Sequence, residues 1–73
     1  MEQTVQINSE FITLGQLLKE LGVIPTGGAA KWYLQDFPVM INDEEETRRG
    51  KKLFPGDKVD INDFGVVTIE KDV

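Results

Sequence analysis

Arg48, Arg49, Lys51 and Lys52 are four of the eight basic residues in a 73-residue chain, and they fall within five consecutive positions although the formal net charge is −5. An arginine guanidinium is a planar fork that fits two phosphate oxygens at once, and a lysine ammonium adds a less directional charge. Exposed charges more than about 8–10 Å away are largely screened at physiological salt, so an anionic partner responds to the local field and not to the net charge. The chemistry such a cluster can do is to hold a phosphate backbone. The opposing reading is a solvated loop neutralised by Asp43, Glu44, Glu45 and Glu46, since residues 43–52 sum to zero charge.

A second group lies upstream. Thr26, Gly27 and Gly28 open a stretch of helical periodicity, and the free amides of a first helical turn attract anions. Two glycines leave the backbone open to a phosphate, and Lys31 adds a full charge about one turn on. The competing explanation is that the glycines permit close packing or a tight helix start, and the pattern is neither a Walker motif nor a dinucleotide fingerprint. Trp32 is the third feature. An exposed indole beside Lys31 could stack on an unpaired base, a contact worth about 1–3 kcal/mol. It could equally cap the edge of a thin core, since small domains rarely bury tryptophan completely.

Catalysis finds little to work with. The chain has no histidine, no cysteine and a single serine, Ser9, so Ser-His-Asp and Cys-His nucleophilic sites, disulfides and thiolate metal sites are impossible. Paired carboxylates remain available, but a domain this small seldom encloses the pocket they require. The expectation is no catalytic residue, no metal and no cofactor. Apolar runs extend only a few residues, so neither a membrane span nor a signal-peptide core is predicted, and the cytoplasm is the expected location. The length fits one domain over 1–73.

The elements that must position these groups follow from periodicity. Thr4 to Asn8 alternates as a short strand. Thr13 and Gln16 form a capping box, with Ile12 and Leu17 as a hydrophobic staple, and Leu14, Leu17, Leu18 and Leu21 make the apolar face of a first helix that stops at Gly22. Thr26 is placed to cap a second helix reaching about Asp36. Ala30, Tyr33, Leu34 and Phe37 face the core, while Gly28, Lys31, Trp32 and Gln35 project to the other side. Val39 to Asn42 reads as a strand, residues 43–52 as a connection, and Pro55-Gly56-Asp57 as a type II turn. Val59 to Ile61 and Val66 to Ile69 complete a β-α-α-β-β-β order, an α+β domain with two helices packed on a small, mainly antiparallel sheet.

These pieces together resemble the S4 domain, and more closely the short stand-alone bacterial S4-like proteins. The likeness rests on Ile12-Thr13-Leu14-Gly15-Gln16, Thr26-Gly27-Gly28-Ala29-Ala30-Lys31-Trp32, Asn42, Arg48-Arg49-Gly50-Lys51-Lys52-Leu53 and Pro55-Gly56-Asp57, and it covers roughly residues 11 to 69. Typical members carry arginines near the start of the second helix and one turn on, where this chain has Gly27 and Lys31. Their Asn-Gly hairpin turn is Asn42-Asp43 here. The resemblance implies the αL motif, binding of RNA, and a part in maturation of the large ribosomal subunit. The expected function is therefore non-catalytic binding of structured RNA, with rRNA as the RNA. Thr26, Gly27, Gly28, Lys31, Trp32, Arg48, Arg49, Lys51 and Lys52 are the candidate contacts; neither membrane nor DNA is an expected partner. The alternative is an acidic interaction module that docks on a basic ribosomal protein or assembly factor through Asp43 to Glu46.

Overall fold

A computed structural model of the chain describes residues 2–72. The elements are β1 (Glu2–Ile7), β2 (Ile12–Thr13), α1 (Leu14–Glu20), α2 (Ala30–Asp36), β3 (Val39–Ile41), β4 (Glu44–Glu46), β5 (Lys52–Leu53), β6 (Lys58–Ile61) and β7 (Gly65–Lys71). The larger sheet has the order β1-β7-β6-β3-β4, and β2 with β5 forms a separate two-stranded ribbon. Only β1 against β7 is parallel; the remaining pairs are antiparallel. Two helices on a mixed, mainly antiparallel sheet is the α+β architecture the sequence predicts. Among the described residues no helix is long and apolar enough to cross a membrane.

Local chemistry accounts for α1. The Thr13 hydroxyl accepts the Gln16 amide at 3.3 Å while the Gln16 side chain accepts the Thr13 amide at 3.0 Å, so the capping box closes in both directions. Ile12 and Leu17 of the staple are both buried, as are Leu14 and Leu18. Gly22 sits at φ 78°, in the left-handed region that ends the helix, and its amide donates to the Lys19 carbonyl.

The second helix departs from expectation at both ends. It begins as a 3₁₀ turn over Gly27–Ala29, and although Thr26 has the extended backbone of a cap, its side chain makes no capping hydrogen bond. At the other end Phe37 is 43% exposed, not core. Its φ of −134° and ψ of 77° take it out of the helix, so the helical spacing that aims Tyr33 inward does not carry on to it. Phe37 lies instead against the half-buried Tyr33, ring centroids 5.3 Å apart.

Strand alternation then divides the sheet into two faces. Ile7, Val39, Ile41, Val59, Ile61, Val67 and Ile69 are buried with the helix leucines. The alternate positions, including Glu2, Met40, Glu45, Asp60 and Glu70, remain exposed. The acidic run is not part of a loose connection. Asn42 and Asp43 take φ values of 50° and 71°, the positive pair a tight two-residue hairpin turn demands, and Glu44–Glu46 folds back on β3. The Asn42 side chain fixes this turn to the next one. Its amide donates to Asp57 Oδ1 and its carbonyl oxygen accepts the Lys58 amide, both at 3.0 Å.

Candidate nucleic-acid interface

The basic segment is fastened by its backbone, which leaves its side chains outside. Lys52–Leu53 pairs with Ile12–Thr13, and Leu53 is completely buried. Immediately before it, the Lys51 carbonyl accepts the Leu14 amide and the Arg49 carbonyl accepts the Gly15 amide, each at 2.9 Å. Those amides belong to the first turn of α1, where helix geometry provides no internal partner. The loop thus completes the start of α1, and α1 in return holds the loop.

Gly15 is the point at which the two candidate regions meet. A methyl group placed on it would lie 3.4 Å from both the Cβ and the carbonyl oxygen of Arg49, and 3.6 Å from the Cβ of Ala30. The basic loop and the first turn of α2 therefore press on the same spot of α1 from two directions. Arg49 of the basic segment and Ala30 at the start of α2 both lie against the first turn of α1.

At that opening, Gly27 and Gly28 are exposed, and neither has a positive φ. A Cβ on Gly27 would meet nothing within 4 Å, and one on Gly28 only the Thr26 hydroxyl at 3.9 Å. Close packing thus does not explain these glycines: the backbone there is bare because it has no neighbour. Lys31 is exposed, with its ammonium 5.5 Å from the Trp32 ring centroid. Trp32 is 65% exposed, which removes the reading of this indole as a cap on the core.

The cations of the loop are not equivalent. Arg48 Nε and Nη2 donate to the two carboxylate oxygens of Glu46 at 3.0 and 3.1 Å, so its fork is already occupied on one edge. Glu46 also accepts the Thr47 and Arg48 amides at 3.1 and 2.9 Å. The Arg48 hydrogen bonds, chiefly that of the guanidinium, hold the Glu46 carboxyl down at about 2, and Glu46 in turn raises Arg48. Arg48 thus differs from the other loop cations, because it braces the loop through Glu46. Among the described residues the Glu46–Arg48 pair is the sole salt bridge, so the neutralised-loop reading holds for this pair and not for Arg49, Lys51 or Lys52. Lys52 sits over the Phe11 ring, 4.8 Å from its centroid.

Sequence reasoning passed over Gly15, Phe11 and Phe54. The signal for Gly15 was a glycine within the first turn of a leucine-faced helix, a position that is destabilising unless something must approach closely. Phe54 was visible as an aromatic two residues from Lys52, on the same side of an extended strand.

Comparison with known proteins adds two findings. A family model described as the S4 domain matches residues 5–70. The probable ribosome maturation protein RlbA of Bacillus subtilis (strain 168) is 51% identical over 65 residues, covering 89% of this chain and 92% of that protein. No solved structure gives a significant match.

Proposed function

This chain belongs to the S4 domain family, and on that premise we propose that it binds structured RNA, without catalysis, through one surface made by the start of α2 and the loop before β5. Lys31, Arg49, Lys51 and Lys52 supply the phosphate contacts. Gly27 and Gly28 let the backbone approach, Thr26 leads into that turn, Trp32 offers a stacking face, and Arg48 shapes the loop while presenting its free edge. The observation that supports this reading is the packing at Gly15, where an added Cβ would meet both Arg49 and Ala30, so that the basic loop and the first residue of α2 lie against the same turn of α1. Helical RNA is recognised largely by backbone shape and 2′-hydroxyls, which needs a correctly spaced set of cations and no deep pocket. The relative named for ribosome maturation supports rRNA as the RNA, and we extend this to maturation of the large subunit in the cytoplasm, with ribosomal proteins or assembly factors close by.

Four phosphate contacts give a slope of log affinity on log salt of about −2.8 to −3.6, a loss of about fifty- to hundred-and-fifty-fold between 50 and 200 mM salt. Filter binding to an rRNA fragment checks this, and Arg49→Glu, a change of two charges, should weaken the association by about 25- to 60-fold near 0.1 M salt. The competing reading, an acidic face docking on a basic protein, is less favoured because Glu46 is turned onto Arg48. It predicts RNA affinity that is flat with salt and indifferent to Arg49→Glu. In-cell crosslinking with sequencing of the attached RNA identifies the target; recovery of a discrete rRNA helix supports the proposal, and background alone contradicts it.

A further inference from the structure

Phe54 stands out as a large aromatic left 47% exposed beside the basic loop. Leu53 is turned into the core, and Lys52 and Phe54 on either side of it are exposed. The ring is firmly presented: the Phe54 amide donates to Asp57 Oδ2 at 2.8 Å, and the Phe54 carbonyl accepts the Asp57 amide at 3.0 Å. Phe54 leans on Phe11, centroids 5.9 Å apart at 50°, and Phe11 also carries Lys52. Phe54 also lines an open groove of about 550 Å³ with Arg48, Gly50, Lys51 and Lys52. Gly50 adds no side chain to it, and a Cβ there would meet nothing within 4 Å.

We infer that this groove takes one unpaired nucleotide of the bound RNA, its base stacked on Phe54 and its flanking phosphates held by Lys51 and Lys52. Every base has a π-face, so an exposed ring between cations binds a splayed nucleotide without demanding a sequence. A fully paired stem offers no such base. The site deepens the RNA-binding proposal and rests on it: phosphate contacts hold the helical part, and Phe54 reads a defect in the pairing. It is separate from Trp32, which α2 carries.

The test uses the full chain with two short RNA hairpins that differ by a single bulged adenosine. Wild type should bind the bulged hairpin about 5- to 150-fold more tightly than the paired one, the range that corresponds to about 1–3 kcal/mol for one stacked base. Phe54→Ala and Phe54→Leu should erase that preference, leaving affinity for the paired stem unchanged, whereas Phe54→Tyr should keep it. The leucine variant separates stacking from mere apolar contact, and the tyrosine variant guards against a folding defect. Equal wild-type affinity for both hairpins, or a Phe54→Leu protein that still prefers the bulge, overturns the nucleotide site while leaving RNA binding intact. Binding of neither hairpin at low salt overturns both.

Discussion

The basic loop and the opening of α2 lie side by side, yet they are built in opposite ways. The loop backbone is tied at several points: Leu53 is buried, the Arg49 and Lys51 carbonyls accept α1 amides, and Glu46 gathers two amides and a guanidinium. The α2 opening is lightly held, with an unused Thr26 hydroxyl, two uncrowded glycines and an exposed indole. A backbone fixed at these points sets where the charged side chains begin before any ligand arrives, which lowers part of the ordering cost of binding. A bare helix start offers access in place of preset geometry. One surface thus combines a fixed part with an open part, and substitutions should separate them.

The largest difference should appear in stability. Leu53→Ala should cost about 2–5 kcal/mol by emptying a fully buried site, and Trp32→Ala, on the exposed side of α2, should stay within about 0.5 kcal/mol; denaturant midpoints report both. Binding comes next. Each neutralised cation removes about 0.7–0.9 from the salt slope, about five- to eightfold in affinity near 0.1 M salt, so Arg49→Ala with Lys51→Ala should lose about 25- to 60-fold and Lys31→Ala about five- to eightfold. Equal losses from Lys31→Ala and the double variant would erase the distinction between the two regions. A smaller contrast lies in the caps: Thr13→Ala should cost about 1 kcal/mol and Thr26→Ala only a few tenths, since only Thr13 makes the capping bond.

Glu46 supplies the subtlest test. Its folded-state value of about 2 lies below the ordinary 4.5, so the bracing it gives is complete above about pH 4.5 and is lost as pH falls towards 2. A carboxyl titration by NMR should place its midpoint near 2 in the wild type and return it towards 4.5 in Arg48→Ala. Glu46→Ala should free the arginine fork and steepen the salt slope by about 0.7–0.9, one additional phosphate contact. An unchanged slope would mean that Arg48 already grips RNA through its outer edge.

What was legible in the sequence was what local chemistry decides. The capping box, the leucine stripe and the Gly22 stop of α1 need only residues a turn apart, and all three are present. Strands β2, β4 and β5 escaped because nothing local favours them, Ile12 and Thr13 being read only as staple and cap of α1. Three consecutive glutamates and a Lys-Leu pair become strands only by pairing with β3 and β2, partners that the folded topology delivers. Phe37 differs for the converse reason: its backbone leaves the helix after Asp36, so the helical period that places Tyr33 and Leu34 does not reach it. For the candidate site, residue types revealed the cations and glycines. Their meeting at Gly15, and the engagement of Arg48 by Glu46, depend on side-chain positions that spacing alone does not fix.

The claim that the two segments act as one surface is tested most directly by following backbone amide NMR signals while an rRNA hairpin is titrated in. The amides of Gly27, Gly28 and Lys31 should shift together with those of Arg49 to Lys52, along a single curve with one midpoint. Shifts confined to one segment, separate midpoints, or movement centred on Glu44, Glu45 and Asp60 would contradict it.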